Sequence, residues 1–338
     1  MKTRIVTGVS LFVAVLAMAN LLPSQAQKAS APPGKAATEA AAGNDAQAPT
    51  KNWAAGNPLK IALLKWYQAN QTTSFTVGNS PNDVAFDGQN IWVTNGGDDT
   101  VTKLRPSDGT VLGTFNVGSQ PYGIAFDGAN IWVVNSGGNN VTKLRASDGK
   151  ELGTFNVGRY PWLAAFDGTD IWVTNAFDNS VSKLRASDGK TLGTFNVSAP
   201  RGIAFDGIWV WVTTDNSTVV RLKLDGTVAG SFPVGARPLG IAFDGASIWV
   251  ANEDSLTVTK LRASDGKNLG TFNVSGAYHL AFDGANIWVT ANPGVEELRD
   301  SDGKVLGEFQ AGGGEFGVAF DGANVWVANS TGKTVSKL

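Results

Sequence analysis

The sequence predicts an all-β protein closed into a ring of seven four-stranded sheets, a seven-bladed β-propeller. Three observations carry that prediction. The first is composition: 338 residues with 41 Gly, 11 Trp and no Cys favour many short strands joined by tight turns over helices. The second is an internal repeat. The phenylalanines of a recurring Phe-Asp-Gly phrase are Phe86, Phe126, Phe166, Phe205, Phe243, Phe282 and Phe320, spaced 38 to 40 residues apart. The third is an offset between the ends of the repeat. The last copy reaches only its third strand, "TVSKL" at 334–338, while "TSFTVG" at 73–78 matches the fourth-strand phrase "GTFNVG" at 153–158. Three strands from one end plus one from the other close a ring; an open solenoid has no use for that offset.

The elements follow in chain order. Residues 1–26 read as a signal peptide: Lys2 and Arg4 precede an apolar run, and Ser24 and Ala26 are small residues at a cleavage site. The expectation is export to the periplasm or beyond, with no membrane span after cleavage; retained, the run would serve as an anchor. Residues 27–56 are rich in Ala, Pro, Gly and polar residues and read as a flexible linker. Residues 57–70 read as a short helix, with Asn57 as N-cap, Pro58 at the first helical position, and Leu63, Trp66 and Tyr67 on one face. It is expected to dock at the end of the ring that carries the Phe-Asp-Gly turns, because the strand after it must run toward the other end.

Residues 72–338 form the propeller. In the copy at 121–158 four strand-like runs, "GIAF", "NIWVVN", "VTKLRA" and "LGTFNV", are separated by the turn signals "DGAN", "SGGN" and "SDGK". The once-per-copy tryptophans, Trp92, Trp132, Trp172, Trp211, Trp249, Trp288 and Trp326, are expected to pack neighbouring sheets together. The Phe-Asp-Gly aspartates are expected to bond their own turn backbone rather than to bind calcium, since one carboxylate per blade does not converge on a cation. Lys143 and Arg145 on strand three are expected in a solvated rim.

The phrase "WVTN" at 92–95 and 172–175, with "WVVN" at 132–135 and "WVAN" at 249–252 and 326–329, resembles the repeat of YVTN-type propellers. The preceding Pro-x-Gly-Ile-Ala-Phe-Asp-Gly is similar to that family and to NHL-type repeats. The likeness covers 72–338, with departures at "WVTT" (211–214) and "WVTA" (288–291). It implies an exported or surface-associated domain and names no substrate, because propellers host binding modules, scaffolds and enzymes alike.

Composition narrows the functional classes. A net charge of −2 leaves no strong footprint for nucleic acid, and the absence of Cys excludes disulfides, thiolate metal sites and a cysteine nucleophile. In a repeat protein the template carries the fold, so departures from it mark the candidate site. At the entry to strand one a variable position holds Asn82, Tyr122, Trp162, Arg201, Leu239, Tyr278 and Phe316; the next holds Asp83, Gly123, Leu163, Gly202, Gly240, His279 and Gly317. Asn82, Asp83, Tyr122, Trp162, Arg201, Tyr278, His279 and Phe316 therefore form a candidate ligand site at one mouth of the channel. Aromatics would stack on an apolar or sugar-ring face, Arg201 would hold an anionic group, and Asp83 and His279 would add hydrogen bonds. Phe177, Asp178, Glu253 and Asp254 would extend the rim.

His279, the single histidine, stands where Gly is usual, so its side chain is expected in space that other blades leave empty. No Gly-x-Ser-x-Gly elbow, second His or His-x-x-x-His pair accompanies it. The reading is an exported, monomeric binding or interaction module for a small molecule, glycan or protein, with no catalytic residue, metal or cofactor assigned. The alternative is a divalent-metal-dependent lyase or lactonase-type hydrolase. The chain is more distantly similar to the virginiamycin B lyase family, a seven-bladed propeller that uses a His and acidic groups with a divalent metal. Here Ala277 and Tyr278 precede His279, and Glu296 and Glu297 lie beyond a strand.

Overall fold

The Phe-Asp-Gly turn is the unit from which each blade is built. Asp127 Oδ1 accepts the backbone N–H groups of Ala129 and Asn130 at 2.9 and 2.6 Å, and Gly128 takes φ of 94°. The other carboxylate oxygen, Oδ2, accepts the indole N–H of Trp132 at 2.8 Å. All seven copies make this Asp–Trp bond, at 2.7 to 2.8 Å. The aspartates thus cap the turn as the sequence implies, and they also satisfy a polar atom that the packing of the tryptophans would otherwise leave stranded.

The computed structural model describes residues 73–291 and 294–338. The signal peptide, linker and short helix expected over 1–70, and the docking face expected for that helix, lie outside the described residues. The described strands form seven four-stranded antiparallel sheets. Blade 1 comprises Pro81–Phe86, Ile91–Asn95, Thr100–Leu104 and Val111–Asn116. Blades 2 to 6 repeat it over 121–156, 161–196, 200–233, 238–273 and 280–309. Blade 7 comprises Glu315–Phe320, Val325–Asn329 and Thr334–Lys337, and its outer strand is Thr73–Thr76, paired with Thr73 opposite Lys337 and Thr76 opposite Thr334. The ring therefore closes three-plus-one, as the end offset predicts.

The core lies in the seams between blades. Trp92, Trp132, Trp172, Trp211, Trp249 and Trp326 are fully buried, each packed on the aliphatic face of the next sheet. Cutting such a residue to Ala costs about 3–5 kcal/mol. The strand-three cations are part of the same seams, which corrects the expectation of a solvated rim for Lys143. That lysine is buried, its Nζ lies 5.1 Å from the centre of the Trp132 ring, and it donates to the Ala186 carbonyl of the next blade at 2.6 Å. Arg145 does face solvent, where it pairs with Asp148 at 3.1 Å. Two residues apart, the side chains share a face of the strand, but Arg145 is the last residue of its strand and pairs within its own turn.

A third seam contact uses the "SDG" glycine. Gly149 has φ of 74°, and a Cβ there would stand 2.1 Å from the Phe115 ring of the preceding blade, so any side chain would displace that ring.

Two outcomes follow. Deleting residues 73–78 leaves blade 7 with an unpaired third strand and is expected to lower the melting temperature of the whole ring; a variant that melts like the parent would disprove the closure. Asp127→Ala removes both the turn acceptor and the indole acceptor. It is expected to cost about 2–3 kcal/mol in urea unfolding, a larger loss than Ala at the exposed Asp148.

Candidate mouth site

The variable residues of the mouth are held in bulges. In blade 2 the ladder jumps from Pro121 opposite Asn135 to Ile124 opposite Val133, so Tyr122 and Gly123 lack regular strand partners. The same jump occurs in blades 1, 3, 4, 5 and 7. A bulge releases side chains from strict alternation and re-aims them, here toward the channel entrance.

The threonine of "WVTN" sets the bulge's position. Thr94 Oγ1 accepts the Asp83 N–H at 2.9 Å and donates to the Tyr122 carbonyl of the next blade at 2.8 Å. Thr174 does this for Leu163 and Arg201, Thr213 for Gly202 and Leu239, and Thr290 for His279 and Phe316. Four of the seven blades thus fix the mouth backbone through a residue that reads in sequence as an ordinary strand threonine. Sequence reasoning missed it, although the alternation of Thr with Val and Ala in that phrase is the signal that marks it.

The structure brings four predicted aromatics together. Tyr122 lies 4.9 Å from Trp162 and 6.2 Å from Phe316, and Phe316 lies 5.9 Å from Tyr278, all between ring centres. These residues come from blades 3, 2, 7 and 6, so the row passes over blade 1, where Asn82 is small and bonds the Pro121 carbonyl at 2.9 Å. The rings form a continuous row at the entrance. Surface grooves of about 370 and 410 Å³ lie elsewhere, at the seams beside Lys103 and beside Asp178. At the edge of the row the Trp162 Nε1 atom is buried without a hydrogen-bond partner.

Arg201 is already paired. Its guanidinium stacks 4.4 Å from the Trp162 ring centre and forks onto Asp215, with Nε at 2.9 Å from Oδ1 and Nη2 at 2.5 Å from Oδ2. Asp215 was not among the predicted site residues, and nothing in its local sequence marks it. Beside this pair Arg237 Nη1 stands 3.0 Å from Glu253 Oε2, and burial pushes the Glu253 carboxyl above the usual range. Phe177 is 61% exposed and stacks in parallel on Tyr160 at 4.4 Å, with Asp178 beside it holding Arg159 at 2.6 Å. Asp254 lies 3.7 Å from Arg237.

His279 does not enter empty space, and the reason is steric. A Cβ on Gly240 would stand 2.6 Å from the His279 Cα, and one on Gly317 would stand 2.5 Å from the Asp83 Cα. Glycine recurs there because neighbouring inner strands approach too closely for two side chains in a row. Asp83, Leu163 and His279 are each flanked by blades with Gly. The His279 ring is buried, edge-on to Phe316 at 6.5 Å, and burial lowers its pKa to about 4. Asp83 is also buried; desolvation raises its pKa to about 7, against the opposing effect of the Val84 and Ile124 N–H donors at 2.9 and 3.1 Å.

The chain is similar in fold to streptogramin B lyase. That likeness spans 79% of this chain and 96% of the lyase chain, with a TM-score of 0.69 and 18% identity. Hydrazine synthase of Kuenenia stuttgartiensis is similar over 77% of this chain and 95% of its own, with a TM-score of 0.66 and 18% identity. No family model and no curated protein matches. At such identity the likeness carries the fold. The His-and-carboxylate metal set implied by resemblance to the lyase family does not assemble here. Among the described residues no three His, Cys, Asp or Glu side chains are placed to hold a metal ion, and His279 packs against a phenyl ring.

The two buried titrating groups make opposite demands on pH. Asp83 has a folded pKa above its unfolded value of 3.8, so its contribution is full below about 4 and is lost as pH rises to about 7. His279 has a folded pKa of about 4, below its unfolded 6.5, so the unfolded chain binds the extra proton and stability rises across about 4 to 6.5. In urea unfolding against pH, Asp83→Asn is expected to leave a stability that climbs over this window, and His279→Gln one that falls. Parallel curves for the two variants would refute the assignment.

Proposed function

We propose that this chain is an exported binding module that holds its ligand on top of the mouth, against the row of Trp162, Tyr122, Phe316 and Tyr278. The row itself is the observation that carries the reading: four aromatics from four blades pack in sequence, two pairs tilted and one edge-to-face, where the repeat demands none. Half-buried rings packed side by side at a channel entrance offer a flat platform. A ligand with a flat apolar face, such as a sugar ring or an aromatic group, stacks there at little cost in side-chain ordering, because the rings are already packed. The Tyr160–Phe177 stack extends the apolar rim. An anionic ligand has less to gain from Arg201 than its sequence position suggests, since Asp215 already neutralises that guanidinium. Export rests on the signal-like residues 1–26, and the module acts in the periplasm or outside the cell as a monomer.

The test is an oligosaccharide and aryl-glycoside array probed with the full chain, followed by titration of any hit. Trp162→Ala and Tyr122→Ala are each expected to weaken binding by roughly 3–10-fold, and His279→Ala by less. Turnover of a cyclic ester substrate with divalent metal, abolished by His279→Ala at unchanged affinity, would replace the binding reading with an enzymatic one.

A further inference from the structure

Blade 6 breaks the seam pattern. In the other six blades a strand-three cation faces the tryptophan: Lys103, Lys143, Lys183, Arg221, Lys260 and Lys337 lie 4.6 to 5.6 Å from the ring centres of Trp92, Trp132, Trp172, Trp211, Trp249 and Trp326. Each also donates to a backbone carbonyl of the next blade, at Ala146, Ala186, Leu224, Ala263, Asp300 and Pro106 respectively. Two of them approach the Phe-Asp-Gly carboxylate as well: Lys183 at 3.7 Å from Asp167 and Lys260 at 3.5 Å from Asp244. At the matching register in blade 6, opposite Trp288, stands Glu297.

The consequences are visible on both sides of the slot. Trp288 is half-buried, whereas the six tryptophans faced by a cation are fully buried. Glu297 turns aside to accept the Asn286 amide at 2.7 Å, and burial together with the nearby Asp283 carboxylate raises its pKa. Asp283 still accepts the Trp288 indole N–H at 2.7 Å. Among the described residues no hairpin turn of blade 7 stands over the slot, since that blade takes its outer strand from Thr73–Thr76. The slot therefore has an indole face and two carboxylates, and no Lys or Arg of its own blade stands over the ring.

We propose that the seam between blades 6 and 7 is a binding site for the cationic end of a lysine or arginine side chain from a partner polypeptide. The other six seams supply the template: in each, the protein's own Lys or Arg occupies the same place over the same ring, and in two of them it also approaches the Phe-Asp-Gly aspartate. An incoming ammonium or guanidinium would meet the Trp288 face and the Asp283 and Glu297 carboxylates, an attraction that is strengthened by partial desolvation. The site lies at the end of the ring that carries the Phe-Asp-Gly turns, away from the aromatic mouth, and does not depend on what the mouth binds.

The experiment follows the indole N–H resonance of Trp288 in the full chain, assigned with Trp288→Phe, during titration with Nα-acetyl-lysine amide, Nα-acetyl-arginine amide and the neutral isostere Nα-acetyl-citrulline amide. One or both cations should shift the resonance saturably at roughly millimolar concentration, and citrulline should not. Glu297→Gln should weaken saturation several-fold. Glu297→Lys should abolish it by filling the slot from within, and should raise the melting temperature of the ring. Equal shifts from citrulline and arginine, no saturable shift with either cation, or a Glu297→Lys protein that fails to fold or melts lower than the parent would each overturn the proposal.

Discussion

The hydrogen bond from each tryptophan indole to the carboxylate of its own Phe-Asp-Gly turn is the interaction on which the ring depends. A tryptophan supplies the apolar area that seals one sheet against the next, but it cannot be buried fully with its N–H unpaired without a penalty of about 1–3 kcal/mol. Placing the acceptor five residues upstream, on an aspartate that also caps the turn, makes the solution local and repeatable. Once the ring is held in one orientation, its face is available to a cation. The lysine or arginine that occupies it reaches on to a carbonyl of the following blade. Turn, core and inter-blade contact are thus one connected motif. A change at the aspartate reaches all three.

The mouth is built on that frame by a different device. Bulges in six of the inner strands free two residues from the ladder, and threonine hydroxyls in four blades pin the mouth backbone to its neighbour. No two neighbouring blades both carry a side chain at the second position, because adjacent inner strands leave room for only one. Variation is therefore concentrated at the first bulge position, and there the chain has placed Tyr122, Trp162, Arg201, Tyr278 and Phe316. The rings meet over blade 1, whose Asn82 leaves them space, and Arg201 is held between an indole and Asp215. The result is an entrance lined by packed aromatics and edged with ion pairs.

Blade 6 departs from the template at both ends of the ring. Near the mouth it carries His279, and its entry loop is held by buried Glu296, which accepts the Ser275 N–H at 2.6 Å. At the opposite end Glu297 stands in place of the seam cation. Two adjacent glutamates serve different purposes because strand alternation sends them to different sides of the sheet.

The sequence by itself determined the number of blades, their four-strand make-up, the three-plus-one closure and the ring of variable residues at the mouth. All of these follow from spacing, and a repeat of fixed length translates spacing directly into position. Only the tertiary structure decided what those residues do. Lys143 reads as a surface lysine until the next blade's turn covers it. Arg201 reads as a free cation until Asp215, fourteen residues on, folds back to pair with it. His279 reads as a side chain in open space until the neighbouring strand is seen to occupy that space. In each case the deciding partner lies across a loop or a seam, and its distance is set by how the sheets pack rather than by any local pattern in the chain.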